Sequence, residues 1–312
     1  MESTVNACRT LRASAASVLR FGIHPAIMNP IVCAKIVRQI CFAKALYGCE
    51  IWGHISDTEI LMLERAQRYI CKTIQGLPKL TRTDMCLSLL GWKPIHAIIS
   101  EKKLLFFGQI CNLPVTAVSF KILVRRLITI KQCPNIPKKL GFTHDCVSLI
   151  VKYNLMEYLS LFLENGTFPS KNVWKNIVKS AINEFEIIHW KQRLFEDNEF
   201  QTFRKIHSVY RPHPAWTVAL RHPYYLKQAR YLISLCCLIR TDTETKLCEK
   251  CGKLFTDPCV NAMTSCDYLV DTRDNFWCDI INLNPITFSA YLGCLSDDEL
   301  CTVIYIIMRH RF

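Results

Sequence analysis

Apolar residues recur every three or four positions along most of this 312-residue chain, and no stretch sustains the period-two alternation of a half-buried strand. That pattern predicts an all-α fold with no substantial β-sheet. Local end signals then place the helices. Asn29-Pro30 is a cap followed by proline at the first helical position, and Ile31, Ala34, Val37, Ile40, Cys41 and Lys44 follow at helical spacing. Ser56-Asp57 opens a helix with Ile60, Leu63, Ala66, Gln67, Ile70 and Ile74 on one face, and Gly76 closes it. Thr83-Asp84 caps a short helix ending at Gly91, and Pro94 starts one running to about Asn112. Further on, a helical pair is predicted at Thr143–Tyr153 and Leu155–Glu164, stopped by Asn165-Gly166. Ser170 caps a long helix through Trp174, Ile177, Ala181, Phe185 and Trp190. Ala215–Arg221 and Tyr224–Ile239 come next, and Ser296 with Glu299 forms a capping box for a last helix.

Two proline-marked breaks, near 133–142 and 208–214, divide this run of helices. The expected organisation is therefore a helical bundle over 1–132, a middle helical segment over 133–210 and a C-terminal helical module over 211–312. Half of the residues are apolar, enough to bury real cores, and only 10 Gly and 13 Pro are spread along the chain. A long flexible linker and a disordered chain are both excluded on composition.

The net charge of +13 is unevenly placed. Lys plus Arg outnumber Asp plus Glu by 14 to 7 over residues 1–110 and by 19 to 8 over 111–240, whereas 241–312 holds 6 against 11. A basic body suits a polyanion, because each phosphate contact releases condensed counterions. The expected partner is RNA or DNA bound without sequence preference, and no membrane partner is expected. Oligomeric state is not legible.

Eighteen cysteines do not make a secreted disulfide scaffold here. Met1–Thr10 carries Glu2 and Arg9 with no apolar core of a signal peptide, and Cys33, Cys41, Cys71, Cys111, Cys236 and Cys237 sit in apolar helical runs. Such thiols pack as small hydrophobes, so an intracellular location, nuclear or cytoplasmic, is expected. The longest apolar stretches fall well short of a membrane span.

The segment Leu46-Tyr47-Gly48-Cys49-Glu50-Ile51-Trp52 resembles a signature found after the palm of LINE-type (RTE-like) non-LTR retrotransposon reverse transcriptases. Leu63-Glu64-Arg65-Ala66-Gln67-Arg68, Ile74-Gln75-Gly76-Leu77-Pro78 and Leu90-Gly91-Trp92-Lys93-Pro94-Ile95 follow in the order of that family's thumb and post-thumb helices. The likeness covers residues 10–110 and returns more weakly at 214–266. It implies a thumb-like bundle, in which Arg65, Arg68 and Lys72 on one helix face would lie along a nucleic-acid backbone. Tyr47 and Trp52, beside Gly48, either plug a helix junction or stack on a base.

Reverse transcription needs metal-holding carboxylates, one pair of them in an aromatic-Asp-Asp hairpin. The only Asp-Asp is Asp297-Asp298 in a helix cap, so the expectation is a non-catalytic fragment that begins downstream of the palm, with no polymerase or endonuclease activity. A domesticated helical protein-interaction module is the alternative from another class, and a pseudogenic product with no selected function is a third.

The family's C-terminal knuckle has Cys-x2-Cys, a His and a further Cys. Cys248, Cys251 and Cys266 match, but Asn261 stands at the His position, and an amide oxygen is a poor zinc ligand. Cys259 is a doubtful fourth sulfur. It can share a metal with Cys266 only if it precedes any helix at that point, because seven helical residues separate them by about 10 Å. Bound zinc and a relict knuckle over 248–266 both stay open. His207, His213 and His222 show no ligand or triad spacing and are read as core or surface histidines.

Overall fold

The computed structural model describes residues 2–24, 26–79, 81–132, 141–197, 203, 207, 210–237, 246–255, 261, 265–283, 305–307 and 309. In chain order the helices are α1 (Glu2–Arg20), α2 (Pro30–Val37), α3 (Asp57–Gln75), α4 (Thr83–Ser88), α5 (Ile95–Cys111) and α6 (Val118–Gln132). They continue as α7 (Phe142–Lys152), α8 (Met156–Asn165), α9 (Lys171–Glu196), α10 (Pro214–Arg221), α11 (Leu226–Cys237) and α12 (Val270–Leu283). A π turn over Arg38–Phe42 and a short tail, Ala43–Ala45, extend α2. Among the described residues the strands are β1 (Lys246–Leu247) and β2 (Leu254–Phe255), a two-residue antiparallel ladder. The fold is all-α.

Local chemistry sets the starts of α2 and α3 where the sequence places them, whereas the cap position of α4 is Arg82, with no side-chain cap bond, and Thr83-Asp84 form the first turn of that helix. The Asn29 side chain accepts from the Ile31 amide at 2.9 Å, starting α2. Ser56 and Glu59 cap α3 reciprocally: the Ser56 amide donates to Glu59 at 3.0 Å, and the Glu59 amide donates to Ser56 Oγ at 3.4 Å. Gly76 then ends α3 at φ 68°, a left-handed conformation that costs glycine least. Helices α1, α6 and α12 carry no such end signals and were not expected. The capping box at Ser296 and Glu299 lies outside the described residues.

Contacts do not group the chain into three successive segments. They group it into two interleaved units: Met1–Phe21 with Ile36–Ile70 and Lys93–Gln192, and Gly22–Lys35 with Cys71–Trp92 and Arg193–Phe312. Continuous helices α2, α3 and α9 run through the points where one unit gives way to the other.

The first unit is built on a core of Leu104, Phe107, Cys146, Ile150, Trp174 and Val178. Trp174 is fixed in it by donating Nε1–H to the Leu104 carbonyl at 2.8 Å. Gly108 provides the space: a Cβ there would sit 2.1 Å from the indole Cδ1. In the second unit Trp216 is fully buried, donating to the Gln75 side chain at 3.3 Å, and the Trp216 carbonyl accepts from Asn29 at 2.8 Å.

Cys33, Cys41, Cys71 and Cys111 are buried free thiols, as their apolar settings imply, and Cys237 is buried too; the Cys236 side chain lies outside the described ones. Burial pushes the thiols up, to about 11 for Cys33 and about 12 for Cys49. No described helix is long and apolar enough to cross a membrane.

Candidate metal centre

Cys248 to Lys253 forms the turn of the β1–β2 hairpin, whose register pairs Lys246 with Phe255 and Leu247 with Leu254. The Cys248 amide donates to the Lys253 carbonyl at 2.8 Å, and the Gly252 amide returns to the Cys248 carbonyl at 2.8 Å. Gly252, at φ 70°, lets the chain reverse directly after Cys251, which keeps both sulfurs on one side of the turn. Cys266 arrives from the other side, immediately before a single 3-10 turn (Asp267–Leu269) that leads into α12.

Three bonds hold the parts together. The Cys266 amide donates to the Asn261 carbonyl at 2.7 Å, Arg273 donates to the Cys266 carbonyl at 3.0 Å, and Lys253 pairs with Asp267 at 2.8 Å. The last joins the hairpin to the start of the following helix. Lys250 lies 5.5 Å above the Tyr268 ring, a second link of the same kind.

The Sγ atoms of Cys248, Cys251 and Cys266 lie within 4.8 Å of one another. Thiolates sharing a tetrahedral zinc are roughly 4 Å apart, given Zn–S bonds of about 2.3 Å. The cluster can therefore hold a metal ion after a small contraction. Its electrostatics favour the ligand form. Amide N–H groups of Cys251 and then Lys250 point at the Cys248 sulfur and bring its pKa down to about 7, where a thiolate is abundant at neutral pH. Cys266 moves the opposite way, raised by burial and then by the neighbouring Cys251 thiol. A cation placed among the three would reverse that repulsion, which is the chemistry of a thiolate metal site.

The fourth position is less complete. Asn261 is buried, and its carbonyl is engaged by Cys266. Cys259 lies outside the described residues. Three of the four sequence-predicted ligands are thus brought together.

The predicted nucleic-acid residues are distributed over both units. Tyr47, Trp52, Arg65 and Arg68 belong to the first and Lys72 to the second. Tyr47 is 86% exposed, so it does not plug a junction; the left-handed Gly48 turns the chain so that Cys49, not Tyr47, enters the core. Trp52 is half-buried. Arg65 is exposed on α3 and Arg68 half-buried, while Lys72 donates to the Lys79 carbonyl at 2.6 Å.

One polar cluster escaped the sequence altogether. His96 on α5 is held between Glu64 on α3, at 2.9 Å from Nδ1, and Glu186 on α9, at 3.3 Å from Nε2. Burial disfavours the charged imidazole, but hydrogen bonds to Glu186 and then Glu64 outweigh it and raise the pKa. Three residues from three distant helices leave no spacing signal. His207 and His213 are buried core histidines, with ring centroids 5.1 Å apart, as the absence of ligand spacing predicts.

No family model, curated protein or solved structure matches this chain.

Proposed function

We propose that this chain is a non-catalytic, single-strand nucleic-acid-binding protein, similar to the C-terminal thumb and knuckle region of LINE-type reverse transcriptases. In this reading a zinc-held knuckle is joined to a basic helical body. The observation that carries it is the three-cysteine cluster on a hairpin turn. Knuckles of this construction present a compact, rigid surface to unpaired nucleotides, while the phosphate contacts fall to the basic helical body. The metal, when bound, supplies cross-linking of the hairpin to α12; the chain's own amides at Cys251 and Lys250 hold the Cys248 thiolate ready for it.

The rest of the charge supports the same reading. The first unit has 21 Lys and Arg against 11 Asp and Glu, and the second 18 against 15. Their totals leave most of the net charge of +13 on the first unit.

The test is binding of the full chain to a labelled oligo(dT) across salt, with zinc measured on the same sample. With roughly six phosphates contacted, affinity falls by about three decades between about 50 and 200 mM salt. A flat salt response, or no binding at low salt, refutes the reading. A protein-interaction role is favoured by one feature, an open groove of 460 Å³ along α6 in which Val115, Phe120, Val124 and Ile128 alternate with Lys121, Arg125, Thr129 and Gln132. Binding through its apolar residues would respond to salt far less steeply than phosphate contacts, so the same titration separates the two.

A further inference from the structure

The sequence singled out the basic stripe on α3, yet the first unit carries a more regular one. Lys171, Lys175 and Lys179 lie at i, i+4 and i+8 on α9, and all three are exposed. At 1.5 Å per residue they advance in steps of about 6 Å along one side of the helix. Beside them the exposed positions of the same turns hold Asn172, Asn176 and Asn183. No carboxylate occurs between Lys171 and Asn183.

That arrangement is unfavourable within the isolated chain. Lysines four apart on a helix repel one another, and none of these has a carboxylate three or four residues away to offset it. Lys171 also opens the helix, where the macrodipole already presents positive charge. Directly beside the stripe, Trp174, Val178 and Ile182, each three residues on from a lysine, are packed in the core, so the helix cannot rotate to spread its charge. A solvated surface of ordinary composition would mix the two signs. This one presents ammonium groups and side-chain amides, with Val173 and Ser180 exposed on the same turns and no carboxylate.

We propose that this face of α9 is a phosphate-binding track for single-stranded nucleic acid, resting on the reading of the chain as a nucleic-acid-binding protein. Lysines advancing in steps of about 6 Å along one side of a helix offer successive cationic contacts to the phosphates of a single strand laid along it. The asparagine amides reach neighbouring phosphate and sugar oxygens, contacts that position a strand without reading its sequence. An anionic membrane is the weaker partner. An interfacial helix inserts several large apolar side chains beside its lysines, and here Asn172, Asn176 and Asn183 are exposed with Val173 as the one exposed apolar residue between Lys171 and Asn183.

The experiment compares the full chain with the triple variant Lys171→Gln, Lys175→Gln, Lys179→Gln and with the matching triple Lys→Arg variant. Lysine, glutamine and arginine have similar helix propensities, so α9 persists, as circular dichroism will check. Anisotropy of labelled oligo(dT) is measured from about 50 to 200 mM salt. The Gln variant lowers the magnitude of the log K against log salt slope by about 2, for three contacts at about 0.7 counterion each. At about 0.1 M salt that is roughly a hundredfold loss of affinity. The Arg variant keeps the wild-type slope.

Wild-type binding with an unchanged slope in the Gln variant overturns this proposal and leaves the broader reading standing. Failure of the wild type to bind oligo(dT) at low salt overturns both. Loss of binding to phosphatidylserine vesicles, with oligo(dT) binding intact, overturns the nucleic-acid assignment in favour of a membrane.

Discussion

Gly108→Ala reverses the sign expected of a glycine-to-alanine change in a helix. Gly108 lies inside α5, where alanine ordinarily stabilises by about 1 kcal/mol through propensity. Here the added Cβ would stand 2.1 Å from Trp174 Cδ1, 2.4 Å from Nε1 and 2.9 Å from Cγ. Ordinary contact begins near 3.5 Å, so the ring or the helix must move by more than 1 Å. The indole cannot swing aside freely: Phe168 lies 4.8 Å and Tyr158 5.8 Å from it, centroid to centroid. Overpacking of this kind costs about 1–3 kcal/mol, and displacing the ring also breaks its bond to Leu104, about 1 kcal/mol more. With the propensity gain subtracted, the net loss is about 1–3 kcal/mol. For a unit of this size that lowers Tm by roughly 2–4 °C per kcal/mol. Urea unfolding followed by tryptophan fluorescence measures it, at unchanged m-value. A variant as stable as the wild type would show that α5 and α9 do not meet at Gly108 and Trp174.

Two sets of histidines give stability profiles of opposite sign. His96 has a raised folded pKa, so its contribution is full below the ordinary value of about 6.5 and is lost as pH rises through the higher folded value; His96→Gln removes that alkaline-side decline in urea midpoint. His207, driven down to about 4 by burial, and His213, driven down by burial and then by the His207 charge, behave inversely. Their stabilisation is present above about 6.5 and lost as pH falls toward 4, and a midpoint that holds level over that range refutes their placement. At the knuckle, Asn261→His tightens zinc by adding an imidazole to three thiolates, read as stoichiometry and competition with a chelator. Cys259→Ser removes bound zinc if that sulfur is the fourth ligand, and tight one-to-one zinc in both the unaltered chain and this variant would show the ligand set to be misassigned.

Local chemistry fixes what needs only neighbouring residues. The Asn29 cap, the Ser56–Glu59 box and the glycines at 76 and 166 terminate helices with bonds closed within a few positions, so they are readable in the chain. The Cys248-x2-Cys251-Gly252 turn is legible for the same reason. Periodicity fails where tertiary context overrides it. Helix α1 buries Thr4, Ala7, Cys8, Leu11, Ala15 and Val18 at helical spacing, a stripe in which Leu11 and Val18 are the only large apolar residues, and α6 is apolar on several sides, with Val118 and Ile122 exposed and Leu123 and Leu127 buried. Only the folded chain decides what distant segments do to one another. It brings Cys266 to the hairpin, sets Glu64 and Glu186 on opposite nitrogens of His96, and places the Trp174 indole where Gly108 has no side chain. Each depends on helices meeting across tens of residues, a condition set by packing of whole faces, and no spacing within the sequence encodes it.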